Sequence, residues 1–259
     1  MIRKIWDKLS FKAFRSYVLE NQARQWVEIK KMQDQLFSAN PIMLMDDLKI
    51  HLPLFYVDHI QKTIYQTGTF YEISTLQFLK KTYGNFNTCI DIGSNIGNHV
   101  LFYCSQLSSS EVYAFEPNEI NRDILNKNIE LNHFQHKVTV FDKAIGESNG
   151  KGIQKDFSLA NTGMNRIEKT TDATENTIDI VTLDSYNVKS VDFIKIDVEG
   201  FEVPVLLGSK ETILNNKPVV MIEVFEKNMI VVKEIMQSLN YELKFTIEEH
   251  NLIFEPAHK

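Results

Sequence analysis

Carboxylates recur in this chain directly behind short apolar runs. Asp91 lies near the end of TCIDIG, Glu116 closes EVYAFE, Asp142 follows VTVF, Asp197 closes FIKID, and Glu223 sits in MIEV. An acid behind a strand-length apolar run falls at the carboxyl edge of a sheet, where open α/β sheets bind ligands. Gly93 and Gly97 flank Asn95 in DIGSNIG, just after the first run. Glycine allows the tight turn and a close approach of helix or ligand. Amides at the start of the next helix can face a polar or anionic ligand end. Glu116 comes 25 positions after Asp91, the placing of an acid that accepts both ribose hydroxyl protons. The middle glycine of a dinucleotide fingerprint is absent: Asn95 stands where backbone must approach a pyrophosphate. The pattern therefore points to a cofactor with a ribose and no pyrophosphate, S-adenosylmethionine. Asp142 could meet the adenine amine and Ala144 and Ile145 its face, although a turn carboxylate explains Asp142 almost as well.

The second constellation is IKIDVEGFE, residues 194–202, where Asp197, Glu199 and Glu202 crowd one strand end. Close carboxylates repel, so some should hold protons more tightly, as a general base or hydrogen-bond clamp would use. Glu199 or Glu202 could instead cap the following helix, favoured by its dipole. The expectation is Asp197 in the site and Glu202 as cap or ligand. Glu223 sits at the same edge on the next strand, and Asp197 and Glu223 could share a divalent cation. No His lies in a metal-spaced cluster, which argues against a dedicated zinc site.

The elements that position these groups alternate as an α/β unit from Thr88. Strands are expected at Cys89–Ile92, Val112–Phe115, Val138–Phe141, Phe193–Ile196 and Val219–Val224. Helices are expected at Asn98–Leu107, Ile120–Leu131, Val203–Leu214 and Val231–Leu239. Tyr241–Thr246 and Asn251–Phe254 read as a closing antiparallel pair. The polar stretch from Gly146 to Asp179 predicts a hairpin or an active-site loop, because bare connections of that length are unusual. Before the sheet, Leu54–Thr67 and Phe70–Tyr83 read as helices closed by Gly68 and Gly84, and IMLM-DD-LKIHL as a small hairpin. Residues 2–37 read as helical, with Trp6 and Trp26 in their apolar pattern and basic residues from Arg3 to Arg15 beside it. That extension admits three roles: a cap on the core, an oligomer contact, or a membrane-surface helix. The expected partition is 1–69 as an N-terminal helical and hairpin extension and 70–259 as the main domain.

The 259 residues are 43% hydrophobic, enough for one large core. Net charge is −6, against the basic balance of a nucleic-acid binder. Through Leu36 there are eight Lys or Arg and four acids; beyond it there are 20 and 30. Two cysteines, Cys89 and Cys104, sit in apolar surroundings and fit core thiols in a reducing compartment. No apolar run is long enough to span a bilayer. The expectation is a cytoplasmic protein, with membrane association through the N-terminus left open.

Taken together, these segments resemble the FkbM family of S-adenosylmethionine-dependent methyltransferases, over about residues 70–255. CIDIGSNIGNH resembles its opening strand and glycine loop, and YAFEPNEINRDILNKNIELN its ribose-binding segment and following helix. FDKAIGESNG, VTLDSY and IEV also resemble family segments. FIKIDVEGFEVPVLLG is the most specific match, and FYE at 70–72 is similar to an acidic element before the first strand. Ser94 stands where many members have Ala. The resemblance implies a Rossmann-like class I methyltransferase fold, with a mostly parallel seven-stranded sheet and an antiparallel terminal strand. It implies O-methylation of a hydroxyl on a sugar, glycan or related natural product. Asp91, Gly93, Asn95, Gly97 and Glu116 would hold the cofactor, and Asp197 and Glu199 would lie near the methyl group or acceptor. Asn161, Asn165 and Arg166, in the NTGMNR stretch, could contact the acceptor. Asp197 is the first choice of base, Glu199 the second and His99 a distant third. Two other classes stay open: a non-catalytic cofactor-binding scaffold, and an NAD-dependent oxidoreductase, which Asn95 speaks against.

Overall fold

A computed structural model describes residues 24, 25, 27, 28, 31, 32, 34–155, 158, 160, 166–171, 177–248 and 250–257. The chain divides into two compact units, 1–42 and 43–259. In the first, the described residues between 24 and 39 are helical. The basic stretch from Arg3 to Arg15, and both Trp6 and Trp26, lie outside the described residues.

In chain order the elements are β1 (Ile42–Met45), β2 (Leu48–His51), α1 (His59–Thr67), α2 (Ile73–Tyr83), β3 (Thr88–Ile92), α3 (Asn98–Gln106), β4 (Glu111–Phe115), α4 (Glu119–Leu131) and β5 (Val138–Phe141). They continue with β6 (Ala144–Ile145), β7 (Gly150–Lys155), β8 (Arg166–Thr170), β9 (Thr177–Val181), β10 (Phe193–Ile196), α5 (Glu202–Leu207) and α6 (Lys210–Asn216). The last are β11 (Val219–Glu223), α7 (Met229–Ser238), β12 (Tyr241–Ile247) and β13 (Asn251–Pro256).

The main sheet has seven strands in the order β12-β13-β11-β10-β3-β4-β5. The pairs from β11 to β5 are parallel, and β13 is antiparallel to both its neighbours. The reversed strand is last in the chain but second from the edge in space, because β12 adds outside it. The sheet is thus mixed, and the antiparallel strand expected at the end of the chain is β13. The central strands are covered on both faces, which is why TCIDI and FIKI read as nearly unbroken apolar runs. Ile90, Ile194 and Val220 pack on one face against Val205, Leu206 and Val232. On the other, Phe193 stacks on Phe86 with ring centroids 4.7 Å apart and meets Tyr103 edge-on. Cys89 and Cys104 are free and buried, and burial pushes both thiols up to about 12.

Two differences from the sequence reading have physical causes. The helix expected over Val203–Leu214 is two helices, broken at Gly208-Ser209. A Cβ on Gly208 would stand 1.9 Å from the Gly146 carbonyl oxygen, so only glycine lets the chains pass. The Asp184 carboxylate then starts the second helix by accepting from Glu211 N and Thr212 N. Leu54–Thr67 is helical only from His59, because Asp58 caps there and accepts from Gln61 N at 2.9 Å. The Gly146–Asp179 stretch holds the expected hairpin, β7 paired antiparallel with β8, and adds most of β9, so that it builds a second sheet ordered β6-β9-β7-β8. The expected β1–β2 hairpin forms and is tied to α4, with Lys49 N and His51 N donating to Asn132 and Asn128.

Candidate active site

The period-2 alternation of a strand puts Phe193, Lys195 and Asp197 on one side of β10. Register sets Asp91 of β3 beside Lys195, and Ile222 of β11 beside Ile196. Asp197 and Glu223 therefore leave the sheet together at its carboxyl edge. Lys195 Nζ lies 3.0 Å from Asp197 Oδ2, 3.6 Å from Asp91 Oδ1, and 3.2 Å from the Gly93 carbonyl oxygen that it donates to. The ammonium side chain is 4% exposed and the Asp91 side chain 0%. Burial works against the charge on Lys195, but Asp197, Asp91 and Glu72 outweigh it and raise the lysine. Burial raises Asp91, with Lys195 and His99 opposing.

A cleft runs along the edge of the sheet, enclosing about 1100 Å³ of non-atom space, part of it open to solvent. Glu116 sits over its β4 end. Its Oε2 accepts from Asn95 N and its Oε1 from Asn118 N, both at 2.8 Å. Burial raises this carboxyl to about 7 against those two amide bonds and Lys195. Asn95 adopts a left-handed φ of 49°, which turns its amide toward Glu116.

At the β10–β11 end the acids interact. Burial first, then Asp197 and Glu202, lift Glu199 to about 7. The charge of Asp197 first, then burial and Glu72, lift Glu223 to about 8. Glu72 enters from the turn before α2 and goes the other way. Burial would raise it, but the hydrogen bond and charge of His99, with Lys195 and Asn251, hold it at about 2. His99 Nε2 lies 3.3 Å from Glu72 Oε2.

Of the residues expected from sequence, Gly93, Asn95, Glu116, Ala144, Asp197, Glu199 and Glu223 line this one cleft. Others do not. Asp91 lies beneath it, behind Lys195. Gly97 faces away: a Cβ there would meet Leu125 Cδ1 at 2.5 Å, so the residue is small for helix packing. Gly93, which does line the cleft, also has no room for a side chain, since a Cβ would fall 1.8 Å from the Asp197 carbonyl oxygen. Asp142 is not among the residues lining the cleft; its side chain is exposed and pairs with the neighbouring Lys143 at 3.2 Å. Glu202 is buried outside the cleft. Its two oxygens accept from Gly200 N and Asn228 Nδ2, both at 2.6 Å, so it fastens the loop after β10. Arg166 begins β8, while Asn161 and Asn165 lie outside the described residues.

Lys195 was missed, although a single lysine inside FIKID was its signal: a buried strand takes a charge only with a partner. Tyr71 and Glu72 were not named as site residues either, although the FYE segment at 70–72 was marked by its resemblance. Among the described residues, no group of three or more His, Cys, Asp or Glu is arranged to hold a metal ion.

A family model for the methyltransferase FkbM domain matches residues 91–245. No curated protein matches the chain. Among solved structures, methyltransferase FkbM from Methylobacillus flagellatus KT is 21% identical with a TM-score of 0.51, over 73% of this chain and 49% of that one. The chain thus spans about half the length of that relative. A methyltransferase from Pyrococcus furiosus is 16% identical with a TM-score of 0.45, over 79% and 96% of the two chains. M. jannaschii TYW2, solved with AdoMet, is 14% identical with a TM-score of 0.43, over 83% and 85%. The mixed sheet flanked by helices is consistent with a class I, Rossmann-like methyltransferase fold. The matched residues make up more than half of the sequence and include both acidic constellations, and on that ground the chain belongs to the FkbM methyltransferase-domain family.

Proposed function

We propose that this protein transfers a methyl group from S-adenosylmethionine to a hydroxyl oxygen of a sugar, glycan or related natural product. Family and fold support methyl transfer from S-adenosylmethionine in general; the hydroxyl acceptor is the finer reading, taken from the family resemblance. The observation that carries the cofactor reading is Glu116. It is a buried carboxylate at the end of β4, fixed by two backbone amides and lining the cleft. A carboxylate offers about four acceptor positions, so two remain for a vicinal diol. Next to it, Phe115, Ala144, Ile145, Ile178 and Phe201 give apolar walls suited to a purine. These residues fit the donor.

When bound, the donor supplies an electrophilic methyl on a sulfonium. The protein's own part is alignment, which alone can supply roughly 7–11 kcal/mol of the barrier, and acceptance of a proton from a weakly nucleophilic hydroxyl. Asp197, Glu199 and Glu223 stand together at the β10–β11 edge for that purpose. The loop after β10 holds them: Gly200 has φ 98° and Glu199 has φ 52°, and Glu202 fastens the turn. Lys195 engages one oxygen of Asp197 and keeps its carboxylate directed.

The test is calorimetric titration with S-adenosylhomocysteine. Glu116→Gln keeps size but removes the charge, and should weaken binding by about 1.5–3 kcal/mol in a folded protein. Unchanged affinity would reject Glu116 as the ribose ligand. The acceptor is identified by mass detection of a one-methyl gain on candidate glycans.

A further inference from the structure

We propose that the Glu72 carboxylate receives the α-ammonium group of the methyl donor's amino-acid tail. The inference rests on the cofactor reading above and adds the direction in which the donor lies. With the ribose at Glu116, over the end of β4, the purine lies toward β5, where Ala144 and Ile145 stand. The tail must then cross β3 toward β10, across strands about 4.8 Å apart. Glu72 stands on that side.

The local structure holds Glu72 for a ligand instead of for its own helix. It occupies the cap position of α2, yet its side chain makes no capping hydrogen bond. The usual caps at this position, Ser, Thr, Asn and Asp, accept from the first-turn amides. Its φ is 55°, a left-handed conformation that carries strain in a residue with a Cβ. That geometry sends the carboxylate into the cleft wall instead. The turn is anchored to the glycine loop itself. Tyr71 N donates to Asn98 Oδ1 at 2.9 Å, and Asn98 Nδ2 donates to the Tyr71 carbonyl at 3.0 Å. The next residue, His99, faces Glu72 Oε2, and Asn251 Nδ2 reaches Oε1 at 3.4 Å. Two acceptor positions of the four remain.

The surroundings call for a cation. Burial, then Glu72, Glu223 and Asp197, push the Tyr71 phenol up to about 12. Glu72 also adds to the raised Glu223. Lys195 is already engaged with Asp197, Asp91 and Gly93. An ammonium beside Glu72 would offset the remaining negative field, and a tail lacking it would gain nothing there.

The experiment compares two thioethers by calorimetry: S-adenosylhomocysteine, which has the amino-acid tail, and 5′-methylthioadenosine, which lacks it. Glu72→Gln should weaken the first by about tenfold or more, the usual effect of losing a charged hydrogen bond, and leave the second unchanged. Equal weakening of both, or of neither, overturns the proposal. Failure of the wild type to bind either thioether overturns the cofactor reading and the inference with it. If Glu72→Gln does not fold by circular dichroism, the wild type is titrated with the deaminated analogue of S-adenosylhomocysteine. That analogue should bind about tenfold more weakly or worse; equal affinity overturns the proposal.

Discussion

The two ends of the cleft solve the burial of acids differently. At the β4 end a single carboxylate, Glu116, is held by neutral backbone amides and carries a raised affinity for protons. At the β10 end Asp91, Asp197, Glu72, Glu199 and Glu223 gather around one buried ammonium, Lys195, with His99 at the margin. The first arrangement suits a neutral, hydrogen-bonding ligand such as a diol, which lends protons to an acceptor without leaving a charge. The second leaves excess negative charge that a positive ligand or a transferred proton can use. The difference shows that a carboxylate's role follows from what stabilises it. At Glu116 the amides fix geometry and oppose the rise that burial causes, whereas at the other end a shared cation ties several mutually repelling acids into one electrostatic unit.

Removing that cation should have the largest effect. Lys195→Met leaves Asp91 and Asp197 without their ammonium, and breaking a buried pair costs about 3–5 kcal/mol. Denaturant unfolding should show that loss, while Glu116→Gln should cost much less. Comparable losses in the two variants would erase the distinction between the ends.

A second contrast concerns chemistry. Asp197→Asn should lower turnover on the acceptor roughly 10²-fold, about 2.7 kcal/mol in the barrier, with S-adenosylhomocysteine affinity mostly retained. Glu116→Gln should reverse the pattern, losing affinity first. Normal turnover in Asp197→Asn would remove it from the reaction and move the proton-accepting role to Glu199 or Glu223.

The smallest effect is in the pH dependence of apo-protein stability. Glu116 and Glu199, raised to about 7, and Glu223, raised to about 8, bind protons more tightly folded than unfolded. Their contribution is full below 4.5, their ordinary value, and is lost as pH rises through 7 to 8. Glu72, lowered to about 2, has the opposite sign: its contribution is full above 4.5 and lost as pH falls toward 2. Thermal melts should therefore decline on both limbs. Glu116→Gln should shallow the alkaline limb alone, and Glu72→Gln the acid limb alone. Identical profiles for wild type and both variants would show that these shifts do not govern stability.

Much of this was legible from sequence. Apolar runs of strand length, with Asp91, Glu116, Asp142, Asp197 and Glu223 at or just behind their ends, located five parallel strands and the edge where they end. The glycine turn gave the start of α3, but Lys195, two residues before Asp197 and so on the same side of the strand, was not singled out. These are local patterns, and local sterics and burial suffice to fix them. What only the tertiary structure decided depends on residues far apart in the chain. Glu202 looked like a site residue, but Asn228, 26 residues on, engages it. Gly93 and Gly97 were read from the turn pattern, but only the fold shows that the Asp197 carbonyl closes on the first and Leu125 on the second. Glu72 comes from before the first strand of the sheet and is brought to the cleft by Asn98 and Asn251, the latter 179 residues away in sequence. Spacing along a chain encodes periodic burial; which carboxylate stays free for a ligand depends on which donors the fold brings to it.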